Sequence, residues 1–303
     1  MNRWFENLIQ GFILFIGLGL PCLPSPILAQ NSLPIQGNLQ SQETAEQLLE
    51  RGIAYIRFGN LKQAIASFRA ATQKNPNLTA AHYNLGLALA QTGKPQAAIK
   101  SFYRSIELKP DFAIAYSNIG AASLEINDPT TAILYSKKAI ELAPTLAIAY
   151  YNLGLGLKQQ KNIKGAIAQL QKSASLDSQS PETLYNLGLL VQETGNLDQA
   201  IEYYRKALII NPKYAEANYN LGAALLIKAQ TEQSIIYFQQ AIALKKELNQ
   251  DYANAYYGLG VAQAKLGKKS EAIQAFMRAQ TLFNLQNNSQ WSQASEQQLK
   301  NLR

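Results

Sequence analysis

The chain has 303 residues, 28 Lys or Arg against 20 Asp or Glu, a formal net charge of +8, one histidine and one cysteine. A lone cysteine excludes an internal disulfide framework, and a lone histidine cannot build an H-E-x-x-H zinc site. Hydrophobic residues make up 47 % of the chain, ample for a continuous core, and length alone would suggest two globular domains.

Residues 1–29 stand apart from the rest. Leu8–Leu20 is almost wholly apolar, Pro21, Pro24 and Pro26 follow, and Ile27-Leu28-Ala29 precedes Gln30 as a cleavage sequence. This reads as a secretory signal peptide, with an uncleaved N-terminal membrane anchor as the alternative. Cys22 follows Gly19-Leu20-Pro21, a poor lipidation context. Cleavage after Ala29 leaves a mature chain without cysteine, which removes thiolate chemistry and Cys-ligated metal. Residues 30–44 are rich in Gln, Asn and Ser and read as a flexible linker. At their end Thr44 and Gln47 form a capping-box pattern that predicts a helix start.

From residue 45 onward one unit recurs, and Pro181–Pro212 is its cleanest copy. Leu184, Leu187, Leu190 and Val191 fall at helical spacing. Ser180 and Pro181 predict the helix start, Gly195 and Asn196 its end. Asn196 with Gln199 predicts the start of a second helix, whose Ala200, Ile201, Tyr204, Ala207 and Leu208 share a face. Asn211-Pro212 closes that helix. A glycine sits inside each first helix, at Gly52, Gly86, Gly120, Gly154, Gly188, Gly222 and, after one insertion, Gly260. Each costs about 1 kcal/mol relative to alanine, so close approach of a neighbouring helix must offset it. The partner helix carries small residues at fixed places, Ala200 and Ala207 in this copy, with the larger Tyr204 between them.

A period of 34 with this glycine, these alanines and a closing proline resembles the tetratricopeptide repeat. The resemblance covers residues 45–284 as seven units: 45–78, 79–112, 113–146, 147–180, 181–214, 215–252 and 253–284. The closing proline is replaced by Ser178, Lys246 and Asn284, and the turn glycine by Asn127, Lys161 and Ala229. The sixth unit has an insertion near Lys245–Asp251, expected as a longer second helix or a bulged loop. Residues 285–303 are expected to form a C-terminal capping helix, with Trp291, Ser295, Leu299 and Leu302 on one face. The resemblance implies an all-α, right-handed α-solenoid of helix-turn-helix units whose first helices line a concave groove.

In the family this groove commonly holds a peptide or another protein's tail, and the fifth and sixth residues of each unit are among those facing it. Here these are Tyr83 and Asn84, Ser117 and Asn118, Tyr151 and Asn152, Tyr185 and Asn186, Tyr219 and Asn220. Consecutive asparagines at one spacing would make an amide ladder able to pair with peptide groups of any sequence. Adjacent tyrosines would add apolar area and a hydroxyl. The competing reading is that asparagine there supports helix packing. The second residues of the units include no cation, which argues against the carboxylate clamp by which some members hold chaperone tails.

Positive charge gathers late in the second helices, including Arg69, Lys137, Lys138, Lys172 and Arg205. It is expected on the convex side, as a solvated face or as an attraction to anionic lipid or an acidic partner. The leader and the absence of a nucleic-acid motif argue against nucleic acid. No nucleophile elbow, P-loop or dinucleotide fingerprint is present, and His82 occupies a place held elsewhere by Tyr or Leu. The sequence therefore predicts no enzyme, no cofactor, no metal site and no small-molecule substrate. It predicts an exported scaffold that binds a protein or peptide partner in the concave groove. The alternatives are a membrane-tethered scaffold, or a non-catalytic regulatory subunit of a glycosyltransferase-like partner.

Overall fold

The computed structural model describes residues 43–247 and 252–302. The expected leader, all but the last two residues of the expected linker, and positions 248–251 of the insertion lie outside the described residues. Every regular element among the described residues is a helix. The chain divides into two compact units between Ser178 and Gln179.

The N-terminal unit holds α1 (Ala45–Arg57), α2 (Leu61–Lys74), α3 (Thr79–Gln91), α4 (Pro95–Leu108), α5 (Ala113–Glu125), α6 (Pro129–Leu142), α7 (Ala147–Gln159) and α8 (Ile163–Leu176). The C-terminal unit holds α9 (Pro181–Glu193), α10 (Leu197–Ile210), α11 (Ala215–Ile227), α12 (Thr231–Glu247), α13 (Ala253–Lys265), α14 (Lys269–Leu285) and α15 (Ser289–Leu302). Odd-numbered helices through α13 are the first helices of hairpins, and even-numbered helices are the second. Within each unit a first helix packs on its own second helix, and that second helix packs on the next first helix. Consecutive first helices also touch, α1 with α3, α5 with α7 and α11 with α13. This is the α-solenoid packing of the tetratricopeptide class.

Local chemistry explains the helix ends. Thr44 Oγ1 accepts from Gln47 N at 3.2 Å and Thr44 N donates to Gln47 Oε1 at 2.8 Å, the capping box read from the sequence. Ser180 and Asn196 cap α9 and α10 by accepting from Thr183 N and Gln199 N, each at 3.2 Å. First helices end in one repeated turn: Gly59 N donates to Ile56 O and Asn60 N to Tyr55 O, a Schellman closure around a left-handed residue. Asn127, Lys161 and Ala229, which replace the turn glycine, take the same left-handed backbone, with φ of 56°, 61° and 59°. The insertion is met in part by length, since α12 has 17 residues where α10 has 14.

The cores are built from the repeated rings. Phe68 and Phe102 in the N-terminal unit, and Tyr204, Phe238 and Phe276 in the C-terminal unit, are fully buried. Each lies against the glycine of its own first helix. A Cβ added to Gly188 would stand 2.5 Å from Tyr204 Cε1. The close approach is thus made to the large side chain, with Ala200 and Ala207 buried on either side of it.

Candidate partner-binding surface beside buried tyrosine and asparagine pairs

The fifth residue of a hairpin meets three groups. The Tyr83 ring lies 5.9 Å from Phe102 and 4.8 Å from Phe112, centroid to centroid. In the C-terminal unit Tyr185 repeats this with Tyr204 and Tyr214, at 6.0 and 4.8 Å, and Tyr219 with Phe238 and Tyr252, at 6.0 and 4.9 Å. The third group is an amide from the next first helix. Asn118 Nδ2 donates to the Tyr83 hydroxyl at 3.1 Å, and Asn220 Nδ2 donates to the Tyr185 hydroxyl at 2.9 Å. Where the fifth residue is Ser117, Asn152 Nδ2 turns to Ser117 O and Oγ, at 3.0 and 3.1 Å. Burial pushes the Tyr83 phenol up to about 12, opposed in part by the Asn118 hydrogen bond. Burial likewise raises Tyr185 and Tyr219 above the ordinary tyrosine value.

This arrangement changes the expected role of the ladder. Tyr83, Asn84, Asn118, Tyr151, Asn152, Tyr185, Tyr219 and Asn220 are all buried, and Asn186 alone of the nine expected contact residues is half-exposed. The amide nitrogens of Asn118, Asn152 and Asn220 bond to the preceding hairpin, and that of Asn84 bonds to Ala80 O at 2.8 Å. The physical reason is burial between successive hairpins. A tyrosine hydroxyl trapped there needs a donor or acceptor, and an amide on the next first helix supplies one; where α5 packs directly on α7, the small Ser117 takes the tyrosine's place. The accessible residues are neighbours of the ladder. The second residues of the units, Ala80, Ile114 and Ile148 in the N-terminal unit and Glu182, Glu216 and Asn254 in the C-terminal unit, are all half-exposed.

Tetratricopeptide repeat family models match residues 49–111, 113–146, 147–180, 181–214 and 213–284. The chain belongs to the tetratricopeptide repeat family. No curated protein sequence matches it. Among solved structures it is similar to PilF of Pseudomonas aeruginosa, at 21 % identity and a TM-score of 0.63 over 72 % of this chain and 96 % of that one. It is also similar to the Cut9–Hcn1 hetero-tetramer of the APC/C, at 18 % identity and a TM-score of 0.65 over 74 % and 44 %. A third likeness is to MamA residues 41 to the end from Desulfovibrio magneticus RS-1, at 24 % identity and a TM-score of 0.51 over 56 % and 96 %. These likenesses carry the fold.

The remaining candidate residues of this tetratricopeptide repeat protein have structural partners. His82 Nε2 donates to Pro76 O at 3.0 Å. The same place in later units makes the same bond, Tyr150 to Pro144 O at 3.1 Å and Asn218 to Pro212 O at 3.2 Å. Each ties a first helix to the loop before it. Burial lowers the His82 pKa, with the Pro76 hydrogen bond opposing. Trp291, on α15, sets its ring 5.1 Å from Tyr257 and 6.0 Å from Phe283, taking the place that Tyr252 and Tyr214 hold one and two hairpins earlier. Among the described residues no three His, Cys, Asp or Glu gather to hold a metal, and no helix is long and apolar enough to cross a membrane.

Proposed function

We propose that the chain is an exported scaffold of seven tetratricopeptide units that binds a peptide or protein partner on its first-helix surface. The observation that carries this reading is the half-exposed strip Ala80, Ile114 and Ile148, one residue per hairpin at the same place. The buried bonds Asn118 to Tyr83 and Asn152 to Ser117 join the successive first helices that carry it. The helices bearing that strip, α3, α5 and α7, carry as Asp, Glu, Lys or Arg only Glu125 and Lys158. An extended partner would meet apolar side chains there. Binding is by presentation of a preformed surface, and the chain performs no turnover. The leader supports export, and the partner is expected outside the cytoplasm.

The test is capture of partners from the native host by the mature chain, beside the double variant Ile114→Gln, Ile148→Gln. Loss of a captured protein at unchanged melting supports the reading, and identical capture by both chains overturns it. The apolar run Leu8–Leu20 favours a second reading, a scaffold that keeps its leader as a membrane anchor. N-terminal sequencing of the native protein separates the two, because a start at Gln30 removes the anchor.

A further inference from the structure

The charge of this chain is unevenly placed. Between residues 43 and 178, 15 Lys or Arg stand against 9 Asp or Glu, while between 179 and 303 the numbers are 12 and 10. Within the N-terminal unit the excess lies on the second helices. There α2, α4, α6 and α8 carry nine cations and two carboxylates, whereas α1, α3, α5 and α7 carry three of each. The second helices of the C-terminal unit, α10, α12 and α14, carry six cations and five carboxylates. A solvated helix face needs charge, but it does not need one sign.

Helix dipoles do not explain the excess. They favour cations in a last turn and carboxylates in a first turn. Lys62 and Lys164 are the second residues of α2 and α8, where the dipole opposes them. At the same place α10 and α12 carry Asp198 and Glu232. Lys62, Arg69, Lys100, Lys137, Lys164 and Lys172 are all exposed, and none makes a side-chain ion pair or hydrogen bond among the described residues. Lys62 and Arg69 lie seven residues apart on α2, two turns along one helix face. The stripes of neighbouring second helices adjoin, since Tyr103 on α4 and Tyr135 on α6 meet at 5.3 Å between centroids.

We propose that this second-helix face of the N-terminal unit docks on an anionic lipid surface. Two features choose lipid over an acidic protein. Five of the six unpaired cations are lysines, compact hydrated charges that attract a fluid layer of headgroups without the bidentate geometry of arginine. Leu134 also stands on this face, 61 % exposed, one turn before Lys137 and Lys138. An exposed apolar side chain on a cationic face suits the boundary between headgroup and acyl chain and has no use in binding a polyanion in water.

The test is flotation of the full chain with vesicles of phosphatidylcholine alone, or with an equal share of phosphatidylglycerol. Any insertion of the N-terminal apolar run contributes to both, so their difference isolates the face. Tighter binding to the anionic vesicles is expected, abolished near roughly 1 M salt, where the screening length falls to about 3 Å. The variant Lys62→Gln, Lys137→Gln, Lys164→Gln, Lys172→Gln should lose at least about a hundredfold, at roughly fivefold per cation. Removing equal charge from the C-terminal unit, with Lys213→Gln, Lys265→Gln, Lys268→Gln, Lys269→Gln, should lose much less. Leu134→Ser should weaken vesicle binding and leave binding to polyglutamate unchanged. Equal binding to both vesicles, equal loss in the two quadruple variants, or tighter binding to polyglutamate than to anionic vesicles would each overturn the proposal.

Discussion

Gly188 and the Tyr204 ring share a space that admits only one of them and a hydrogen. A Cβ alone at Gly188 would stand 2.5 Å from the Tyr204 ring, so the Gly188→Leu variant is expected to lose about 3 kcal/mol through overpacking, a net loss of ~2 kcal/mol once roughly 1 kcal/mol gained in helix propensity is set against it. A denaturant midpoint equal to that of the parent chain would refute this. The pair Tyr83–Asn118 offers a second test at the same scale. Asn118→Ala strands a buried hydroxyl and should cost about 1–3 kcal/mol. Adding Tyr83→Phe removes the stranded group and should restore part of the loss, giving a coupling of ~1 kcal/mol in a double-mutant cycle. Purely additive losses would show that the 3.1 Å bond contributes nothing. The glycine was legible from its period alone, because an interior helix glycine is costly without a close neighbour. The amide was legible only as a repeated residue. Nothing in its spacing from the unit start distinguishes a side chain pointing into a groove from one reaching back to the preceding helix.

At the scale of the element, the hairpin turn is the informative part. Ala229 holds φ at 59°, a conformation that costs a residue with a Cβ about 1–2 kcal/mol. Ala229→Gly relieves this and increases the freedom of the unfolded chain, which offsets roughly 0.4–1 kcal/mol. The net expectation is a stabilisation of about 0.5–1 kcal/mol, read as a higher denaturant midpoint; a lower midpoint would contradict the left-handed assignment. The turn itself was readable, since Gly59, Gly93, Gly195 and Gly267 mark the place that Ala229 occupies. The 17 residues of α14 are uninterrupted by glycine or proline, and the added length packs against α15.

For the whole molecule, buried tyrosines link stability to alkaline pH. Tyr83 has its pKa raised from 10.0 to about 12 by burial, and Tyr185, Tyr204, Tyr219 and Tyr252 are raised for the same reason. A raised folded value means that the folded chain keeps its phenol protons when the unfolded chain releases them. The contribution is therefore complete below pH ~10 and is lost as pH climbs through ~12. Melting should stay level through neutral pH and fall steeply above pH ~10, and Tyr83→Phe should shallow that fall. A chain that melts at the same temperature on both sides of pH ~10 would contradict the burial of these rings.

The sequence by itself determined the helix pairs, the turns between them and the sign of the charge on each helix. All of these follow from spacing along one chain, because a helix has a known pitch and a turn has few permitted residues. Only the tertiary structure decided which first-helix side chains solvent can reach. A first helix is approached by its own second helix, by the preceding second helix and by adjacent first helices, and pitch alone does not say how near the last of these comes. That distance closed over Tyr83 and Asn118 and left Ile114 and Ile148 half-open, so the first-helix side chains that solvent reaches lie beside the repeated amides.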